Sequence, residues 1–115
     1  MTIARALPLL AAPLLTMLAG APAAAAGAAA PHPYAGMWVT ADNRVRHFLR
    51  PDGRYVEARG ARECAYQGRY EVTGDHIEYW DDTGFTADGD FIGGVLHHGG
   101  MVLRRRPGVP EPGGC

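Results

Sequence analysis

Between Gly36 and Arg106 the apolar and polar positions alternate in short runs of about five to seven residues, rich in Val, Ile, Tyr, Trp and Phe, the length and chemistry of strands. Turn dipeptides punctuate the runs: Asp42-Asn43, Asp52-Gly53, Gly74-Asp75, Asp88-Gly89, Gly93-Gly94 and Gly99-Gly100. No window keeps apolar residues at i, i+3, i+4 and i+7 for three turns, so no substantial helix is expected. The pattern predicts strands at Gly36–Thr40, Arg44–Arg50, Arg54–Arg59, Tyr66–Val72, His76–Asp81, Gly84–Ala87, Asp90–Val95 and Gly100–Arg105. The clearest hairpin puts Tyr66, Gly68, Tyr70 and Val72 on one face and Gln67, Arg69 and Glu71 on the other. After Thr73-Gly74-Asp75 the chain returns with Ile77, Tyr79 and Asp81 facing inward. Eight strands with short links imply an all-β, antiparallel up-and-down sheet, which loses its exposed edges by closing into a barrel. An eight-stranded barrel is either just filled or holds one small ligand.

The ends of the chain read differently. Residues 1–30 carry one early cation, Arg5, no acid, and an Ala/Leu/Pro run that ends in small residues, the pattern of a cleaved secretory signal peptide. Several Ala-x-Ala sites lie between Ala21 and Ala30, which leaves a mature chain of about 85 to 92 residues. The expected organisation is a signal peptide at 1–30, a barrel at 31–106 and a flexible Pro/Gly-rich tail at 107–115, in an exported (periplasmic or extracellular) product. The chain is too short for two domains or for a TIM barrel of roughly 250 residues. Its 11 basic and 12 acidic side chains, net −1, speak against a nucleic-acid partner driven by counterion release. No apolar run of about 18 residues remains after the signal, so no membrane insertion is expected. Export permits a disulfide between Cys64 and Cys115, but two free thiols or a dimer through Cys115 are equally compatible with the sequence.

Alternation also selects the candidate chemistry. With tyrosines inside, Tyr55, Glu57 and Arg59 face the interior, and a buried Glu and Arg must pair with each other or bind something polar. His47 points inward between Val45 and Leu49, within reach of Glu57, Tyr79 or Asp81, where a His beside a carboxylate can shuttle a proton. His97-His98-Gly99-Gly100 is read as a turn with its His side chains at the rim. Adjacent strand residues point to opposite faces, so this pair cannot easily grip one ion, and no spacing motif gathers His47, His76 and either of them. No metal and no cofactor are expected. The acidic turns at Asp81-Asp82 and Asp88-Gly89-Asp90 lack the calcium-loop pattern, and no Gly-x-Ser-x-Gly, phosphate loop, dinucleotide fingerprint or Cys-x-x-Cys occurs.

Gly36-Met37-Trp38 at the first strand resembles the opening of the lipocalin, avidin and streptavidin barrels, the calycin type. In those barrels a Trp plugs one end and a basic residue of the last strand packs on its ring. Arg104 or Arg105 stands at the matching place, with Arg104 taken as the structural partner of Trp38. Longer runs are more specific: Trp38 to His47, Asp52-Gly53-Arg54-Tyr55, Tyr66 to Ile77, Tyr79 to Gly89 and Gly94 to Leu103. Over about Gly36 to Arg104 the chain is similar to a small bacterial family, first described structurally from Agrobacterium, with a streptavidin-like fold and no assigned activity. That resemblance implies a streptavidin-like barrel with a suspected ligand pocket, and brings no catalytic residue to carry over.

The first functional expectation is a binding module for an unknown small molecule, held by Tyr55, Glu57, Arg59, Tyr79 and Asp81, with His47 second. The second is a small-barrel isomerase or cyclase that uses His47 with Glu57 or Asp81 as acid and base. The third is a structural or protein-interaction module with a filled interior.

Overall fold

The computed structural model describes residues 31–115 together with Thr2 and Ala4; the expected signal peptide otherwise lies outside the described residues. Eight strands run β1 (Gly36–Thr40), β2 (Val45–Leu49), β3 (Arg54–Arg59), β4 (Arg62–Thr73), β5 (His76–Asp81), β6 (Thr86–Ile92), β7 (Val95–His98) and β8 (Met101–Arg105). Each pairs antiparallel with its sequence neighbour, and β8 returns to β1 through Trp38↔Arg105, Val39↔Arg104 and Thr40↔Leu103. The sheet is thus a closed up-and-down barrel, and closure leaves no unpaired edge.

The strands depart from the sequence expectation by a residue at several ends, and by more at β4, β6 and β7. Strand β4 begins at Arg62, four residues before Tyr66, because the chain reverses tightly at Gly60, whose φ of 55° brings Arg62 opposite Arg59. Strand β6 runs through Asp88-Gly89, expected as a turn. Gly89 pairs with both Ile77 and His98, and a Cβ there would lie 2.7 Å from the His97 carbonyl oxygen. The true reversal is Gly93-Gly94, both with positive φ, inside the expected strand Asp90–Val95. Two central residues with φ > 0 are what the turns matching a sheet's twist require. As a result His97 and His98 lie on β7 rather than in a rim turn.

Inward alternation places Trp38, Leu49, Tyr55, Tyr70, Ile77, Tyr79, Phe91, Leu96 and Leu103 in one buried cluster. A plug of residues ahead of β1 seals one end. The Tyr34 ring stacks on Phe91 with centroids 3.6 Å apart, Trp38 Nε1 donates to the Tyr34 carbonyl at 2.8 Å, and His32 Nε2 meets the Tyr70 hydroxyl at 2.8 Å. The cation over Trp38 is Arg105, 4.8 Å from the ring, and not Arg104. Leu103 points inward, so alternation turns Arg104 outward and returns Arg105 to the inner face, where its guanidinium also donates to the carbonyls of Ala35 and Pro33.

The segment after β8 crosses the outside of the barrel. The Arg106 N–H donates to the Met37 carbonyl, Arg50 pairs with Glu111 at 2.9 Å, Pro112 is buried, and Cys115 is disulfide-bonded to Cys64 on β4. The outward side chains Met37, Val39, Val56 and Ala58 are all buried, on the strands that lie between those anchors.

Candidate functional site

The end of the barrel opposite the plug is open. Register explains its contents. His47 on β2 faces Glu57 on β3, and Glu57 faces Tyr66 on β4, so three neighbouring strands present one row to the interior. The next row is Tyr55, Gly68 and Asp81. Gly68 has no side chain there because a Cβ would sit 2.1 Å from the Trp80 carbonyl oxygen. Across that gap the Tyr55 hydroxyl donates to Asp81 Oδ2 at 2.9 Å.

Together with Tyr79, Phe85, Ala87 and His98, the residues His47, Tyr55, Glu57, Arg59 and Tyr66 line a pocket of about 130 Å³. Five of the six residues expected to bind a ligand therefore converge. Asp81 does not line the pocket: its Oδ1 accepts from the Thr83 N–H and hydroxyl at 2.9 and 2.6 Å, so it anchors Tyr55 from behind. Arg59, expected inside, stands at the mouth with 47% of its side chain exposed, since the strand ends there. His98, Tyr66, Phe85 and Ala87 were missing from the expected set. His98 was hidden by the misplaced turn at Asp88-Gly89, although strand alternation applied to His97-His98 would have found it.

The electrostatics are specific. His47 and Glu57 are 1% and 3% exposed. Glu57 Oε1 is hydrogen-bonded to His47 Nε2, and Oε2 accepts from Arg59 Nε at 2.8 Å. Burial opposes the Glu57 charge, but the bonds from His47 and Arg59 outweigh it and hold the carboxyl below its ordinary range. Burial, joined at Tyr55 by the bond to Asp81, pushes the Tyr55 and Tyr79 phenols well above theirs, so both stay neutral hydroxyls. Burial also lowers the His98 pKa, against the opposing effect of its bond from Nδ1 to the Asp88 carbonyl at 2.8 Å. The Arg59 guanidinium covers the Tyr66 ring at 5.0 Å, and Phe85, half exposed, meets Tyr66 edge-on. One carboxylate, one guanidinium, two imidazoles and three phenols thus surround a space with aromatic walls, the mixture by which proteins orient small polar ligands. Among the described residues no buried side-chain polar atom lacks a hydrogen-bond partner.

These features define a class, a small closed β-barrel plugged at one end and pocketed at the other. Residues 31–105 match the family model described as Agrobacterium tumefaciens protein Atu4866, and the chain belongs to that family. It is similar to the solution structure of Atu4866 from Agrobacterium tumefaciens, at 67% identity and a TM-score of 0.60, over 67% of this chain and 99% of that one. A comparison with curated proteins finds no match. Among the described residues no helix is long and apolar enough to cross a membrane.

Proposed function

We propose that the protein is an exported binding barrel for a small polar or amphipathic molecule, taken up at the open end. The observation that carries this reading is the pocket, about 130 Å³ and lined by both charged and aromatic side chains. A cavity of about 150 Å³ accommodates benzene, so the pocket suits a single ring or a short polar head, with the remainder of a ligand leaving past Arg59 and Phe85. Tyr79 offers a neutral hydroxyl, Tyr55 an acceptor oxygen since its proton goes to Asp81, Glu57 a carboxylate, and Arg59 a cation for an acidic group. The leader-like sequence of residues 1–30 supports export.

Native mass spectrometry of the protein from its own exported fraction, followed by denaturing mass spectrometry, tests the reading. The expected result is a small molecule retained natively and released on denaturation, with retention lost in Arg59→Ala while the circular dichroism spectrum is unchanged. A bare native mass, with no binding in a screen of ring-sized polar compounds, would overturn it. The hydrogen bond between His47 and Glu57 favours a second reading, an isomerase or cyclase with that pair as acid and base. Turnover of a bound compound that vanishes in His47→Ala would distinguish catalysis from storage.

A further inference from the structure

We infer that the floor of this pocket is a site for a first-row divalent cation of the zinc class, held by His47, Glu57 and His98. Each offers one ligand atom, and the three atoms lie within 4.8 Å of one another. They come from β2, β3 and β7, so the barrel wall fixes their approach from different sides. Two imidazoles and one carboxylate form a donor set that zinc and iron(II) sites use with a coordination position left open. Ligand atoms stand about 2.0 to 2.2 Å from such an ion, hence about 3.5 Å apart in a tetrahedron, so His47 Nε2 and Glu57 Oε1, now hydrogen-bonded to each other, must part to admit it.

The stronger indication lies behind the ligand atoms. Metal-bound imidazoles and carboxylates are normally held by a second partner on their other atom, and all three have one. His98 Nδ1 donates to the Asp88 carbonyl at 2.8 Å, which leaves Nε2 for an ion. His47 Nδ1 lies 3.4 Å from the Tyr79 hydroxyl, with Nε2 turned to the cluster. Glu57 keeps Oε2 on Arg59 and presents Oε1. The ion replaces the proton shared by His47 and Glu57, which goes to solvent, as metal binding to protonated ligands requires. Its remaining position faces the pocket and its aromatic walls, so an oxygen or nitrogen of a small ligand, or water, completes the shell. His97, on the outward face of the same strand, takes no part, and His76 is engaged with Asp90 at 2.8 Å on the outside of the barrel.

Titration of the chelator-stripped protein with Co²⁺ and Zn²⁺ tests the site. One ion per chain is expected, with the intense visible absorption of low-coordinate cobalt that zinc then displaces. His98→Gln and Glu57→Gln should each weaken binding by more than about tenfold, at least the loss seen when a supporting residue alone is removed; His97→Gln should leave it unchanged. Thermal unfolding of each variant separates lost ligation from lost fold, and wild type should gain thermal stability on adding Zn²⁺ while His98→Gln gains none. The inference is overturned if folded wild type binds no ion, if folded His98→Gln binds as wild type does, or if binding is lost instead in His76→Ala. Failure to bind either ion, with a small molecule still retained natively, would sink this inference and leave the binding reading standing.

Discussion

At the plugged end, Trp38, Tyr34 and Phe91 pack ring against ring and Tyr70 meets the His32 ring edge-on, while Trp38 Nε1 and the Tyr70 hydroxyl donate to backbone carbonyls and the Tyr34 hydroxyl donates to Asp75. At the open end, the same eight strands present Glu57, His47, Arg59 and His98, whose hydrogen bonds run mostly between ionisable side chains. Both ends obey the same alternation along the strands; what differs is the choice of inward residues and the segment ahead of β1 that covers the plugged end. Aromatic packing fixes a unique barrel at the plug, and the mouth can then hold charged groups near one another without endangering the fold. Sites supported by a rigid element in this way are more sharply positioned than sites on loops.

The largest expected effect follows from that contrast. Trp38→Ala removes the centre of the plug, 1% exposed, and its bond to Tyr34. It should lower unfolding free energy by about 3 to 5 kcal/mol, the usual cost of truncating a buried Trp. Tyr66→Ala at the mouth should cost about 1 kcal/mol, a typical value for a point substitution, while weakening any ligand that rests on the pocket wall. Urea denaturation of both variants measures the two losses. Equal losses would mean that the mouth is as much a part of the stabilising core as the plug.

The strap across the outer wall offers the next test. It leaves β8 beside the plug and ends at Cys64, two residues before Tyr66 of the pocket. The disulfide closes a sequence separation of 51 residues. Cys115→Ser should therefore destabilise the barrel by about 2 to 4 kcal/mol, mainly by freeing the unfolded chain. Denaturation with and without a reductant reads this directly: reductant should lower the wild-type midpoint to that of Cys115→Ser and leave the variant unmoved. A single transition in both would show plug and mouth unfolding together; two would show the mouth opening first.

Much of this arrangement was legible in the sequence because a strand has a period of two and the barrel has only one inside. Once Tyr66 and Tyr70 are assigned inward, Tyr55, Glu57, Tyr79 and His47 follow, and all four line the pocket. What alternation could not give was the place where chains reverse. Asp88-Gly89 has the composition of a turn, yet Gly89 is demanded by the close approach of a neighbouring strand, information that belongs to the folded state. Misplacing that one turn displaced His98 and with it a third of the inferred ion site. The plug was illegible for a similar reason: nothing about Pro31-His32-Pro33-Tyr34 in isolation says that Tyr34 will lie flat on Phe91, far away in sequence. The same limit led the sequence reading to Arg104 as the partner of Trp38, where the closing register between β1 and β8 places Arg105.

That last pair provides the smallest and most discriminating test. Arg105 spans two functions at the plug, a cation over the Trp38 ring and donors to the Ala35 and Pro33 carbonyls that hold the segment carrying Tyr34 in place. Because the side chain is exposed, its cation–π contact is worth about 0.5 to 1 kcal/mol, and Arg105→Ala should lose about that much and a little more from the freed segment. Arg105→Lys should recover only part of it, since an ammonium cannot lie flat on an indole or donate through a planar fork. Arg104→Ala, facing outward one residue earlier, should stay within about 0.5 kcal/mol of wild type. Indole fluorescence gives a second readout, because Trp38 should respond to Arg105→Ala and not to Arg104→Ala. If Arg104→Ala proved the more damaging, the β1–β8 register would be off by one residue. Such a slip would exchange inner and outer faces along β8, moving Leu103 out of the core.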